Sequence, residues 1–281
     1  MWRARTPAIA AVLAVCASFA LPAAAPAADP YPSGDQISAA TAFVKGREGR
    51  RAYAVIDTEG NLHGVNLNRR FVTASVVKAM LLVQYLRKVD RADRGLRSSE
   101  RALLRPMIRV SSNTAATAIY RRVGDGGLRR LAKVVGMTNF AIGPSYLRSC
   151  RCSSRAWARA QLTAADQARL FYRLDEVLPE RFRDYARNLL ETVVREQSWG
   201  IPAAARPLGW RVFFKVGLRS TGLGGLIHQA ARLERDSTTI AIAVMTDGNP
   251  SYSYGMRTVY GVGLRLAETP QPANGSPPAA G

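Results

Sequence analysis

The stretch from Phe71 to Lys88, FVTASVVKAMLLVQYLRK, constrains the fold more than any other. Between Val76 and Val83 it is apolar apart from Lys78. A run this long, apolar on nearly every face, reads as a buried helix, so other elements must wrap around it. Thr73 or Ser75 supplies the N-cap signal, which places Ser75 in the first turn and Lys78 three residues on, along the same face. Burial favours the neutral form of a lysine. A neutral amine beside a hydroxyl is a general base beside a nucleophile, and a helix N-terminus offers N–H groups to a developing oxyanion. The plainer alternative, in which Lys78 reaches to water and Ser75 only caps the helix, stays open on this stretch alone.

Arg3 and Arg5, an alanine-rich apolar run from Ala8 to Leu21, and Ala25-Pro26-Ala27 make residues 1–27 a secretory leader by pattern, followed by a linker over 28–35. Val15 before Cys16 fits a lipoprotein signal poorly, so the chain is expected to be exported without a lipid. Cys150 and Cys152 are spaced C-x-C, and a bond across one residue is strained. His63 and His228 stand far apart in sequence, so neither a metal nor another cofactor is expected. The formal net charge is +20, carried almost entirely by arginine. In an exported chain such a field would meet acidic cell-wall polymers or lipid head groups before nucleic acid. The arginines are spread along the whole sequence rather than clustered, which favours a solvated surface over a binding patch. A monomer is expected.

Along the chain, Gln36 to Lys45 reads as a helix. RAYAVIDT and HGVNLNRR, separated by Glu59-Gly60-Asn61, read as a hairpin. Arg91 to Arg105 reads as a short helix or loop, and VSSNTAATAIYRRV as a loop running into an apolar helix broken at Asp125-Gly126-Gly127. A further helix ends at Gly136. Phe140 to Gln161 has no clear period and reads as a long irregular loop. Thr163 caps a helix through Leu174, another covers roughly Arg181 to Glu196, and Pro202 and Pro207 mark a loop. WRVFFKVGLR, GLIHQAARLER and TTIAIAVMTDG read as a three-stranded antiparallel meander, with GLGG at Gly222 to Gly225 as a hairpin turn. Ser253 to Ala267 closes the domain as a helix, and residues 269–281 are expected to be disordered. Strands at both ends with helices between them predict one α+β unit over 36–268, its terminal segments sharing a sheet and a helical subdomain inserted.

Two further patterns follow S-x-x-K in order: Ser111-Ser112-Asn113 at the mouth of a helix, and Lys215-Val216-Gly217 late in a strand. Two of only five lysines thus fall at motif positions. With these motifs the chain resembles the serine β-lactamases and penicillin-binding proteins, nearest the class A β-lactamase-like branch, over about Gln36 to Ala267. SSNTAATAI and LTAADQARLFYRL add to the likeness. The resemblance implies a five-stranded antiparallel sheet flanked by N- and C-terminal helices, beside an α-helical subdomain. It implies Ser75 as the acylated nucleophile, Lys78 as its base partner, and Ser111 as the proton relay to the departing nitrogen. Asn113 would hold a substrate amide, Lys215 would tune Ser111 and attract a substrate carboxylate, and Gly217 would let the substrate lie against the strand. The N–H groups of Ser75 and Leu218 would form the oxyanion hole. The substrate class so implied is a β-lactam or a peptidoglycan peptide.

Three departures qualify the likeness. Ser112 stands where Asp is usual, and Val216 where Thr or Ser is usual, leaving Arg219 or Thr221 to meet a carboxylate. Gly126 through Ala165 contains no Asp or Glu, whereas the class A branch carries there the glutamate that activates the deacylating water. The chain between Ser75 and Ser111 is also shorter than usual for that branch. A D-alanyl peptidase, penicillin-binding protein or esterase with slow deacylation therefore stands beside the lactamase reading, and so does a non-catalytic wall-binding module. No G-x-S-x-G occurs, which disfavours a Ser-His-Asp hydrolase.

Overall fold

Strands from both ends of the chain meet in one sheet. The computed structural model describes residue 2 and residues 30–142, 157–219 and 224–268. The expected leader (apart from Trp2), the cysteine pair, Thr221 and the expected tail lie outside the described residues. In chain order the elements are α1 (Gly34–Lys45), β1 (Arg50–Ile56), β2 (Leu62–Val65), β3 (Phe71–Val72), α2 (Val77–Arg91), α3 (Ser98–Arg109), α4 (Asn113–Val135) and β4 (Gln161–Leu162). After these come α5 (Ala164–Tyr172), α6 (Leu174–Val177), α7 (Glu180–Glu191), α8 (Ile201–Ala205), β5 (Arg211–Arg219), β6 (Leu226–Arg235), β7 (Thr238–Asp247) and α9 (Tyr252–Ala267).

The five-stranded sheet has the order β2-β1-β7-β6-β5, antiparallel throughout. The β1–β7 register pairs Arg50 with Asp247 and Ile56 with Ala241, closing the chain on itself. β7 is buried at every position from Ile240 to Thr246, so it must be covered on both faces. Helices α9 and α1 supply one covering layer and α5 another. This is the expected α+β architecture, with α2, α3, α4 and α7 forming the inserted helical part.

α2 is buried without a gap from Val77 to Leu86, packed against α4, α3 and α7. Its apolar faces are satisfied all round, as the sequence predicts. Several local expectations are corrected. Thr73 makes no capping bond; its hydroxyl lies 3.3 Å from the Trp157 carbonyl and 3.3 Å from that of Ala74. Ser75 sits in a 3-10 turn, Ala74–Val76, ahead of α2 rather than in its first turn. Helix α3 continues through Pro106 to Arg109, beyond the expected short element. The break in α4 falls at Gly124 (φ 67°, ψ 169°), because only glycine reaches that geometry cheaply, and Gly136 ends the helix left-handed at φ 79°. α7 stops at Glu191, short of Glu196. Pro202 and Pro207 stand in the first turns of α8 and of a 3-10 turn instead of in a loop, since a first turn needs no N–H from proline.

Candidate active site

Three separate segments deliver the site. The 3-10 turn and α2 bring Ser75 and Lys78, the α3–α4 connection brings Ser111 and Asn113, and edge strand β5 brings Lys215 and Gly217. Ser112 is the N-cap of α4, its hydroxyl accepting from the Ala115 N–H at 3.3 Å; this capping task suits Ser as well as Asp. Immediately before it, Ser111 is left-handed at φ 58°, and Ala74, immediately before Ser75, is left-handed at φ 44°. Each such non-glycine residue costs on the order of 1–3 kcal/mol, strain that clusters where a side chain must be aimed.

Lys78 and Lys215 are both fully buried. Lys78 Nζ donates to the Ser111 carbonyl (2.5 Å) and to Asn113 Oδ1 (2.9 Å), and lies 3.0 Å from Ser111 Oγ. Lys215 Nζ lies 3.1 Å from the same Oγ and donates to the Val216 carbonyl at 3.2 Å. Ser111 is thus held between two amines. A hydroxyl has one proton to give, so it can donate to only one of them, and that amine must be neutral. Burial pushes the Lys215 pKa well below the ordinary lysine value, and the nearby Lys78 charge pushes it the same way. Two ammonium groups on one oxygen are therefore disfavoured, and the trio is built to hold and pass a proton.

The approach of β5 to the turn that carries Ser75 is close. A Cβ on Gly217 would stand 3.1 Å from the Val76 nitrogen and 3.2 Å from the Thr73 carbonyl, so a side chain there would force strand and turn apart. Leu218 and Arg219 end β5 on its exposed rim, and Asn113 is also exposed at the mouth.

Contacts of three residues, none of them foreseen in the sequence, complete the surroundings. The Trp157 ring lies 5.0 Å from Lys78 Nζ, its Nε1 donating to Thr117 at 3.2 Å. The indole ring thus forms one wall of the pocket that holds the amine. Thr73 ties the Ser75 turn to the same segment, its N–H donating to the Ala160 carbonyl at 2.8 Å. His228, opposite Gly217 in the β5–β6 register, donates from Nε2 to the Val72 carbonyl at 3.0 Å and accepts the Thr246 N–H at Nδ1, 3.2 Å away. A tryptophan in a segment without period, and a histidine in an apolar strand, gave no signal of these contacts. Asp166, the first acid after the acid-free stretch, is committed to capping α5 by accepting from the Thr163 and Asn139 N–H groups. Among the described residues no group of three His, Cys, Asp or Glu side chains is placed to hold a metal.

The neutral tautomer of His228 braces β3, which leads into Ser75. Burial lowers its pKa to about 4, below the ordinary 6.5. The unfolded chain thus binds a proton between pH 6.5 and 4 that the folded chain refuses, so stability falls as the pH drops through that window. The expected loss is about 3 kcal/mol. Denaturant melts at pH 7 and pH 4 should show this loss in the wild type and a loss smaller by about that amount in His228→Gln; equal losses would exclude His228 as the source.

Comparison with known proteins agrees with this geometry. The family model described as "Beta-lactamase enzyme family" matches residues 90–269, a range that holds Ser111, Asn113 and Lys215 while Ser75 and Lys78 precede it. Among solved structures, a β-lactamase from Sphaerobacter thermophilus DSM 20745 superposes with a TM-score of 0.67 at 18% identity, covering 82% of this chain and 95% of that one. The structure of PBP-A superposes at 0.69 with 17% identity, over 83% and 95%. An ancestral class A β-lactamase superposes at 0.66 with 19% identity, over 82% and 98%. These three share the fold. No curated protein matches the chain.

Proposed function

Since this chain belongs to the β-lactamase enzyme family, we propose that it is an exported serine hydrolase that opens β-lactam amides through an acyl-enzyme on Ser75. The observation that carries this reading is Ser111 Oγ held 3.0 Å from Lys78 Nζ and 3.1 Å from Lys215 Nζ. One of the two amines takes the proton of Ser75 as its oxygen attacks the amide carbon. Ser111 returns a proton to the departing ring nitrogen, so that the C–N bond breaks as the ester forms. The N–H groups of Ser75 and Leu218 receive the oxyanion, a contribution of about 3–4 kcal/mol per donor in comparable sites. Asn113 and Arg219 line the mouth, where a substrate amide and carboxylate would sit.

A second reading, a penicillin-binding protein or D-alanyl peptidase, is favoured by one feature. The stretch from Gly126 to Ala165 supplies no carboxylate, and Trp157 within it covers Lys78. General bases are worth about 10²–10⁴-fold, so release should lag acylation by at least ~10²-fold. Incubation with a fluorescent penicillin, followed by intact mass spectrometry, is expected to give one adduct per chain. That adduct should be absent in Ser75→Ala and persist for many times the labelling half-time. No adduct on the wild type would remove the β-lactam reading, and rapid loss of the adduct would remove the second.

A further inference from the structure

Away from the catalytic trio, the far end of α2 and the flanking parts of α3 and α4 enclose two adjoining cavities of about 310 and 250 Å³. They share Lys88 and Arg122 as a common wall; Arg91 and Arg130 line the first, and Arg94 and Arg97 the second. Among the described residues, the one acid in either lining is Glu100, and it is spent: it accepts from Arg94 at 2.8 and 2.9 Å, from the Arg97 N–H and from Tyr85. Flanking acids are engaged elsewhere as well. Asp90 and Asp93 pair with Arg181, and Asp125 accepts from Tyr120 and faces Arg129. The cations themselves are pre-positioned. Lys88 donates to the Arg122 carbonyl at 2.8 Å, and the Arg122 guanidinium stacks 6.0 Å from the Tyr85 ring. The result is two adjoining cavities joined by a shared basic wall, with Arg91, Arg97 and Arg130 beside it and one acid, Glu100, neutralised by Arg94.

Lys88 lies ten residues after Lys78 on α2, about 15 Å along the axis at 1.5 Å per residue. The groove is therefore a site distinct from the catalytic one, and it does not rest on the hydrolase reading. We propose that it binds a linear phosphodiester polymer of the cell wall, a chain of polyol phosphates, and anchors the protein along it. Guanidinium groups match phosphate oxygens two at a time, and two cavities in series suit a ligand with repeating charges better than a single small anion. A nucleic acid shares the phosphates, but its bases would find no platform here. The one aromatic ring in the lining among the described residues, Tyr85, is buried, with Arg122 over it. An anionic membrane is disfavoured because none of the exposed large apolar side chains among the described residues lines either cavity.

The test separates a built groove from diffuse charge. Arg91→Gln/Arg122→Gln/Arg130→Gln removes three charges from the groove. Arg69→Gln/Arg195→Gln/Arg257→Gln removes three exposed charges outside it and leaves the same net charge. Binding of synthetic poly(glycerol phosphate) is measured by titration at 50 to 200 mM salt, with thermal melts confirming that both variants fold. The groove variant is expected to bind at least ~10-fold more weakly, with a log–log salt slope reduced by about 2, and the control to change less than about 3-fold. Ser75→Ala should bind like the wild type. Equal losses in the two triple variants would overturn the site, and so would no binding at 50 mM salt. Tighter binding to single-stranded polynucleotide, polyglutamate or phosphatidylglycerol vesicles would overturn the assigned occupant.

Discussion

Lys78→Arg is expected to slow the acylation of Ser75 by a reporter β-lactam at least ~10²-fold and to leave the fold intact. General base catalysis is worth about 10²–10⁴-fold, and arginine cannot act as a base because it stays protonated. The native amine is fully buried, bonded to the Ser111 carbonyl and Asn113 Oδ1 and covered by Trp157. A guanidinium can still donate to these acceptors, so a loss of rate with a retained melt separates proton transfer from simple hydrogen bonding. It also fixes the charge on the side of Ser111 where Lys78 now stands, which forces the hydroxyl proton toward Lys215. Stopped-flow labelling across pH 5 to 10 reads the outcome. If the variant acylates at the wild-type rate with an unchanged pH profile, Lys78 is not a base and the proton leaves through Lys215.

Much of this arrangement was legible because it follows from local chemistry. An all-round apolar helix with one lysine announces a buried amine, and the hairpin signal at Gly60 and the three runs divided by short turns announce strands. The capping signals at Thr163 and Gly136 set boundaries that the structure keeps. What was not legible is what depends on distant segments meeting. The brace from His228 to Val72 spans 156 residues, and nothing in the local pattern of β6 distinguishes a braced histidine from a packed one. Trp157 reaches Lys78 only because β4 pairs with β3, Phe71 against Leu162, a two-residue match too short to predict. The proline expectations failed for another reason. A proline is read as a breaker, yet in the first turn of α8 it breaks nothing. The order of the three short motifs gave the trio, but only the fold could reveal that Ser111 answers to both amines.

Lys215→Met should make the protein more stable and nearly inactive, and the gain in stability should shrink as the pH rises. Lys215 is wholly buried on β5, with the Ser111 hydroxyl and the Val216 carbonyl as its hydrogen-bond partners among the described residues. Burial drives its pKa well below the ordinary lysine value, and Lys78 adds to the shift. The unfolded chain therefore holds a proton there, up to its own pKa of about 10.4, that the folded chain gives up at lower pH. Wherever the unfolded state binds more protons, stability rises with pH, so the native lysine costs stability near neutrality and costs less as the pH approaches that value. Methionine has a similar shape without the amine. Replacing a buried charged or polar group by an apolar one of like volume commonly stabilises by about 1–4 kcal/mol, and the expectation here is toward the lower end because one bond to Ser111 is lost. Acylation should fall by about 10²-fold or more, since Ser111 is then left with a single amine and the relay cannot return its proton. Denaturant melts at pH 7 and pH 10, paired with labelling rates, decide the matter. A variant that is less stable at both pH values would make Lys215 a structural tie, and one that keeps its labelling rate would take Lys215 out of the proton path.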